Sequence, residues 1–332
     1  MISVLVTGGA GFIGSHTCKA LRKAGYFPIS YDNLSRGNAD AVRWGDLVIG
    51  DIADPALLRE TLMRYRPVAV VHFAALAYVG ESHENPGLYY RNNVAGTATL
   101  LDAMHDCGVR DIVFSSSCAV YGVPAVVPTP ETSPLCPVSP YGETKLACER
   151  MLTERASEFA FMALRYFNAA GADAEGEIGE CHVPETHIIP LLLEVAAGGA
   201  DAFTIFGEDY PTPDGTCIRD YIHVSDLADA HVRAVEALLE GVKNGTINVG
   251  TGRGWSVRQL IEIAARVTGC HIPTRSGPRR PGDPAKLISD PALSRERLRL
   301  LPRYPDVAQQ IAHAWAWQCR RGRTSNVSRA FA

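Results

Sequence analysis

Hydrophobic residues in the first half of the chain alternate between short continuous runs and longer stretches with helical spacing. The continuous runs predict buried parallel strands at 4–7, 28–31, 69–73, 112–115 and 161–166. The stretches between them predict helices at 13–23, 54–65, 89–107 and 141–159. Such alternation predicts an α/β fold with a doubly wound parallel sheet, whose ligands bind at the carboxyl ends of the strands.

The pattern changes after residue 168, where loops rich in Gly, Asp, Glu and Pro occupy 172–184, 207–215 and 276–284. A loop-rich half suits a smaller α/β lobe that closes over a substrate. A helix at 224–239 and a strand at 246–249 are predicted to return to the main sheet. We therefore predict a sheet domain of residues 1–167, with returning segments near 224–250, and a mainly substrate-binding lobe of 168–332.

Composition excludes several classes of protein. With a net charge of −4 and dispersed Lys and Arg, the chain gives no indication of nucleic acid or membrane-surface binding. The start of the chain reads as a strand and not as a signal peptide, and no apolar run approaches the roughly 18 residues of a membrane helix. The nine cysteines are single and odd in number, which predicts reduced thiols in a cytoplasmic protein. Cys181, His182 and His187 share a loop but lack paired spacing, so we predict no metal.

A glycine-rich loop follows the first predicted strand and opens the first helix. Gly8, Gly11 and Gly14 permit a tight turn and let backbone N–H groups approach a pyrophosphate. Asp32 ends the second strand, where a carboxylate accepts both ribose hydroxyls of adenosine and repels a 2′-phosphate, so NAD is favoured over NADP. Asp51 is placed near the adenine, and the small residues after the next strand let a dinucleotide lie flat: Phe73, Ala74 and Ala75.

Tyr141 and Lys145 are four residues apart and therefore share one face of a predicted helix. A tyrosine ionises near pH 10, but a cation about 4 Å away is worth on the order of 4 kcal/mol at an effective dielectric of 20. This is roughly three pKa units, so we expect the pKa of Tyr141 to lie near neutrality, with a bound oxidised nicotinamide acting in the same direction. The pair predicts a redox base beside a nicotinamide.

These pieces together resemble the extended short-chain dehydrogenase/reductases, and among them the enzymes that epimerise UDP-sugars at C4. The motifs that carry the resemblance span almost the whole chain, at 7–16, 31–34, 79–82, 115–117, 139–145, 164–168, 214–223 and 279–283. The resemblance implies a Rossmann-type, NAD-binding first domain and reversible epimerisation of UDP-glucose and UDP-galactose through a transient 4-keto sugar. Tyr141 would be the base, Lys145 would lower its pKa and hold the nicotinamide ribose, and Ser117 would hydrogen-bond the 4-oxygen and relay the proton.

The resemblance also implies two sets of binding residues and a homodimer that pairs the helices at 89–107 and 141–159. The NAD contacts would be Gly8, Gly11, Phe12, Ile13, Gly14, Asp32, Asn33, Asp51, Ile52, Phe73, Ala74, Ala75, Ala77, Asn92, Ser115, Tyr141, Lys145 and Phe167. The UDP-sugar contacts would be Ser117, Tyr141, Asn168, His187, Ile188, Thr204, Ile205, Phe206, Arg219, Arg280, Asp283 and Leu287. The arginines suit a diphosphate, which takes charge-assisted hydrogen bonds from guanidinium groups.

The chain departs from the family pattern at three positions. Ala77 stands where many members have a lysine near the cofactor, and His187 replaces an asparagine. Leu287 is intermediate in size between the large aromatic residue of members that exclude N-acetyl sugars and the small residue of members that admit them. Residues 77–80 and 214–217 also resemble UDP-pentose 4-epimerases, so UDP-xylose and UDP-arabinose are the alternative substrates. Ser117-Cys118 argues against a dehydratase, which needs a carboxylate pair there, and a non-catalytic NAD sensor does not need Ser117 together with Tyr141 and Lys145.

Overall fold

The computed structural model describes residues 1–242, 244–280 and 282–330. Its strands are β1 (Ser3–Thr7), β2 (Phe27–Asp32), β3 (Asp46–Ile49), β4 (Ala69–His72), β5 (Asp111–Ser115), β6 (Ala160–Tyr166), β7 (Asn168–Ala170), β8 (Phe203–Phe206), β9 (Ile218–His223), β10 (Gly245–Val249), β11 (Gly254–Ser256), β12 (Thr274–Gly277) and β13 (Lys286–Leu287). Its α-helices are α1 (Phe12–Lys23), α2 (Pro55–Tyr65), α3 (Val79–Glu84), α4 (Pro86–Tyr89), α5 (Gly96–Asp106), α6 (Pro140–Glu154), α7 (Ile188–Ala196), α8 (Val224–Leu239), α9 (Val257–Thr268), α10 (Ala292–Arg297) and α11 (Val307–Ala330).

A seven-stranded parallel sheet forms the centre of the molecule, in the order β10-β6-β5-β4-β1-β2-β3. The predicted doubly wound α/β fold is confirmed, because apolar clusters cover both faces of this sheet. On one face α1 and α8 pack against the strands, and on the other face α2, α5 and α6 do so. The strand predicted at 246–249 is β10, which pairs with β6 in this sheet. Its Ile247 and Val249 side chains are buried.

Three local predictions differ from the structure. β3 was not predicted, because this short edge strand has only three apolar residues, Leu47 to Ile49, and leaves Asp46 and Ile49 exposed. The helix predicted at 89–107 is divided into α4, a π-helical segment at Tyr90–Ala95, and α5. The helix predicted at 141–159 ends at Glu154, where Arg155 leaves helical geometry.

The second half of the chain builds a smaller set of layers beside the carboxyl ends of the large sheet. β9 pairs with β7, β11 and β13, and β8 pairs with β12. A third apolar cluster joins β7, β8 and β9 to α7, α9 and α11. No helix within the described residues is long and apolar enough to span a membrane.

Candidate active site

The glycine loop between β1 and α1 leaves no room for side chains. A Cβ on Gly8 would lie 2.7 Å from the Ala74 nitrogen, and one on Gly14 would lie 2.1 Å from the Gly8 carbonyl oxygen. Gly8 has a φ of +72°, in the left-handed region that glycine adopts readily. Gly11 caps α1 without any side-chain hydrogen bond, so the helix N-terminus faces the loop with backbone N–H groups alone. This geometry fits the pyrophosphate of a dinucleotide.

Carboxylates mark the end of β2 beside this loop. The Asp32 carboxylate is buried and accepts hydrogen bonds from the backbone N–H of Ala10 (3.0 Å) and of Leu34 (2.8 Å). Burial raises the pKa of Asp32, and these two bonds oppose the rise. Asn33 donates from Nδ2 to Asp51 Oδ2 at 2.8 Å, so two predicted adenosine contacts meet at this edge. The nearby Ile52 is buried against Gly96 at the start of α5.

The loop after β4 is held by an asparagine that the sequence analysis did not select. Asn93 is buried, accepts from the Leu76 N–H at 2.8 Å, and donates to the Leu76 carbonyl (3.0 Å) and to Thr144 Oγ1 (3.1 Å). The predicted cofactor contact Asn92 is half-buried and donates to Asn93 Oδ1 at 2.9 Å. Asn93 thus ties the loop that carries Phe73, Ala74, Ala75 and Ala77 to α6.

Tyr141, Lys145 and Ser117 meet at the carboxyl end of β5. Lys145 Nζ donates to the Ser115 carbonyl at 2.8 Å and lies 5.8 Å from the centre of the Tyr141 ring. Ser117 Oγ accepts from the Ala119 N–H at 3.1 Å, which caps a short 3₁₀ helix at Cys118–Tyr121. Both Tyr141 and Lys145 are buried on α6, whose first turn is capped by Ser139 Oγ accepting from the Gly142 N–H.

The ionisation of Tyr141 differs from the prediction. Burial raises the pKa of Tyr141 well above its ordinary value, the neighbouring Tyr166 adds to the rise, and a hydrogen bond from Ser117 opposes it. Burial also lowers the pKa of Lys145 to about 8, with Cys148 and Glu149 acting in the opposite direction. The prediction that Lys145 alone brings the phenol near neutrality is therefore wrong, because the ammonium bonds the Ser115 carbonyl and both groups are desolvated.

A buried ionic network joins α6 to β6 and to the end of β5. Glu149 on α6 accepts from Arg165 Nε (2.9 Å) and NH2 (2.6 Å), and its Oε1 also accepts from Ser116 Oγ at 2.5 Å. Arg165 further donates to the Tyr121 hydroxyl at 3.0 Å. Sequence reasoning missed Glu149, although it follows Lys145 by four residues and so lies on the same helix face.

The predicted substrate residues of the small lobe gather around β9. Arg219 is buried, donates from NH1 to the Ile218 carbonyl at 2.7 Å, and forms an ion pair with Asp283. Leu287 on β13 is buried opposite Arg219 in the strand register. Burial raises the pKa of the Cys118 thiol to about 12, and the charge on Arg219 opposes the rise. Asp283, the partner of Arg219, follows Gly282, where a Cβ would lie 3.2 Å from the side chain of Val138, shortly before α6.

Other predicted substrate residues lie at the edges of this lobe. The Arg280 guanidinium lies 4.4 Å from the centre of the Phe206 ring, and both residues are exposed. Thr204 and Ile205 are in β8, and Asn168 begins β7 immediately after the buried Phe167. His187 is the N-cap residue of α7, Ile188 is its first residue, and the His187 ring contacts Glu180.

This chain, with its glycine loop beside a parallel sheet and its buried Tyr–Lys pair, is similar to known proteins. The NAD dependent epimerase/dehydratase family matches residues 4–250, and the chain belongs to this family. The UDP-glucose 4-epimerase of Rhizobium meliloti is 49% identical over 96% of this chain and 98% of its own.

Solved structures agree with the family assignment. The UDP-glucose 4-epimerase of Brucella ovis in complex with NAD has 54% identity and a TM-score of 0.93, covering 95% of this chain and 98% of its own. The enzyme of Stenotrophomonas maltophila, with NAD and formylated UDP-arabinopyranose bound, has 40% identity and a TM-score of 0.94, covering 98% of this chain and 100% of its own.

Proposed function

We propose that the chain is an isomerase that interconverts UDP-glucose and UDP-galactose at C4 with NAD as its cofactor. The observation that carries this proposal is the approach of the two lobes at one place. Tyr141, Lys145 and Ser117 lie at the end of β5. Arg219 of the small lobe pairs with Asp283, and a Cβ on the preceding Gly282 would lie 3.2 Å from the side chain of Val138, shortly before α6. A proton-transfer group and a cation for a diphosphate therefore face the same space beside the dinucleotide loop.

Within this reaction, NAD supplies a hydride acceptor and donor at sugar C4 and the positive charge of its oxidised ring. Tyr141 takes the proton of the 4-hydroxyl from one epimer and returns a proton to the other. Because burial raises the pKa of Tyr141, its phenolate depends on positive charge placed directly beside it. Ser117, which bonds the phenol, is placed to share the proton with the 4-oxygen.

The two arginines hold the part of the substrate that does not react. Arg219 and Arg280 donate charge-assisted hydrogen bonds to the diphosphate of the substrate. The 4-keto sugar itself stays free to turn and present its other face. Asp283, which pairs with Arg219, limits the directions that this guanidinium can take. Gripping the nucleotide and not the sugar allows one site to serve both epimers.

A change of one oxygen atom tests the assignment of Tyr141. Tyr141→Phe should lower kcat by about 10²–10⁴-fold, the usual contribution of a general acid–base group, while still binding NAD. Tyr65→Phe is the matched control, because the Tyr65 hydroxyl donates to Asp46 at the start of β3, at the opposite end of the parallel strands from Tyr141. Turnover of UDP-galactose by purified Tyr141→Phe at the wild-type rate would contradict the mechanism.

A UDP-pentose is the second candidate substrate. The supporting observation is the 40% identical Stenotrophomonas maltophila enzyme, whose structure contains formylated UDP-arabinopyranose. Comparing kcat/KM for UDP-galactose with that for UDP-xylose decides between the two. A larger value for UDP-xylose would replace the hexose assignment and leave the C4 chemistry intact.

The proposal includes a cytoplasmic homodimer that pairs α5 and α6 across a two-fold axis. Leu88 in α4 and Tyr90 at the start of the π-helical segment are 40% and 44% exposed, which suits a covered surface in a dimer. Sedimentation equilibrium should give twice the chain mass of 35.8 kDa. A mass of one chain at micromolar concentration would contradict the dimer.

A further inference from the structure

The loop between β7 and α7 gathers four side chains that the proposed reaction does not use together. Glu180, His182, Glu185 and His187 each direct one ligand atom into a common space, and these four atoms lie within 4.8 Å of one another. We call these four residues the His–Glu cluster. The sequence showed only two histidines with unpaired spacing, and the fold adds the two carboxylates.

The distances from His182 to the two glutamates are close to those between ligands of a single metal ion. His182 Nδ1 lies 3.0 Å from Glu180 Oε1 and 3.8 Å from Glu185 Oε1, and His187 Nδ1 contacts the same Glu180 oxygen. Two ligands of a tetrahedral zinc ion at about 2.0–2.1 Å are roughly 3.3 Å apart. His182 Nδ1 is fully buried, and within the described residues it has no aligned hydrogen-bond partner.

Surrounding residues hold the cluster in a fixed position. The Glu180 carbonyl accepts from Trp317 Nε1 at 3.0 Å, and Glu185 Oε1 accepts from the backbone N–H of Thr186 and His187. The His182 ring packs edge-on against Phe12, with ring centres 6.3 Å apart, at the first turn of α1. The ligand atoms are therefore presented by a loop that is anchored to both lobes.

We propose that the His–Glu cluster is a zinc-binding site. Two imidazole nitrogens and two carboxylate oxygens form the mixed donor set that Zn²⁺ accepts in four-coordinate sites, whereas Ca²⁺ and Mg²⁺ take more oxygen ligands. The two carboxylate charges balance one divalent cation when both imidazoles are neutral. Such an ion lies within the loop before α7, beside the first turn of α1 and the cofactor loop.

A second cluster of carboxylates in the same loop differs from the His–Glu cluster in how its charge is neutralised. Asp173, Glu175 and Glu177 also converge, but Lys19 Nζ bonds all three, at 2.8, 2.6 and 2.6 Å. An ammonium group already neutralises that group from within. In the His–Glu cluster the imidazoles of His182 and His187 are the ion-pair partners of the glutamates, and Arg321 NH1 donates to the Glu180 backbone carbonyl at 3.4 Å.

Calorimetric titration of the untagged, NAD-loaded full chain with ZnCl₂ tests the site. We expect one Zn²⁺ per chain, no competition by MgCl₂, and affinity that rises with pH as histidine protons are released, seen as a heat that depends on the buffer. His182→Ala and Glu185→Gln should each weaken binding by about 100-fold or more. Glu185→Gln keeps the shape of the side chain, so it covers the case in which His182→Ala does not fold.

His271→Ala is the matched control, because His271 is exposed and lies outside the cluster. This variant should bind Zn²⁺ as the wild type does. Absence of stoichiometric Zn²⁺ binding at pH 8 would show that protons on the histidines, and not a metal ion, neutralise the two glutamates, and would overturn the proposal. Equal affinity in wild type, His182→Ala and Glu185→Gln would place the zinc elsewhere, for example on the exposed Cys136 thiol, and would overturn the proposal.

Discussion

Glu149 lies on α6 four residues after Lys145, and its carboxylate forms both hydrogen bonds of a two-pronged ion pair with Arg165. The side chains of Arg165 and Glu149 are only 4% and 5% exposed, so neither charge is screened by water. Glu149→Gln removes the negative charge without changing the side-chain volume. The change leaves the Arg165 guanidinium buried and uncompensated in the sheet domain.

Removing one partner of a buried ion pair costs about 3–5 kcal/mol, whereas an exposed pair contributes about 0–1 kcal/mol. The Arg59–Asp106 pair, with side chains 42% and 49% exposed, provides the control variant Asp106→Asn. We therefore expect Glu149→Gln to lower the free energy of unfolding by about 3–5 kcal/mol, against less than about 1 kcal/mol for Asp106→Asn. Replacing both Glu149 and Arg165 by apolar residues should cost less than the single change.

Urea unfolding followed by far-ultraviolet circular dichroism measures these differences. A second readout concerns Lys145, since the Glu149 charge partly offsets the lowering of its pKa by burial. In Glu149→Gln the pKa of Lys145 should fall further, and the alkaline limb of the pH–activity profile should move to lower pH. A loss of stability no larger than that of Asp106→Asn, with an unchanged pH profile, would refute this reasoning.

Three further predictions concern the cofactor loop, the acid stability and the sugar pocket. Gly14→Ala should abolish NAD retention after gel filtration, since its Cβ would lie 2.1 Å from the Gly8 carbonyl oxygen; wild-type NAD content would contradict this. Burial lowers the pKa of His72 to about 3, so below pH 6.5 the unfolded chain binds a proton that the folded chain does not, and stability falls as pH falls. His72→Gln should remove about 1.4 kcal/mol per pH unit of this slope between pH 6 and 4, measured by urea unfolding; an unchanged slope would exclude His72 as its source. Leu287→Ala should raise kcat/KM for UDP-N-acetylglucosamine relative to UDP-glucose by about 10-fold, and an unchanged ratio would show that Leu287 does not limit the pocket.

Much of the fold was predictable because local pattern and tertiary environment agree there. The runs at 4–7, 112–115 and 161–166 are apolar at successive positions, as strands buried on both faces must be. β3 was not predicted because its apolar run is only three residues long and partly exposed. The break at Tyr90–Ala95 was not predicted because helical spacing does not reveal a π-helical segment.

The sequence by itself determined the family, the glycine loop with Asp32, and the four-residue spacing of Tyr141 and Lys145, since these depend on short segments of chain. The tertiary structure decided the electrostatics. Lys145 bonds the Ser115 carbonyl and both Tyr141 and Lys145 are desolvated, so the pKa of Tyr141 rises where spacing alone predicted a fall. How far a charge is buried and what compensates it depend on residues that are distant in sequence. The fold alone brings Glu149 to Arg165 and Arg219 to Asp283.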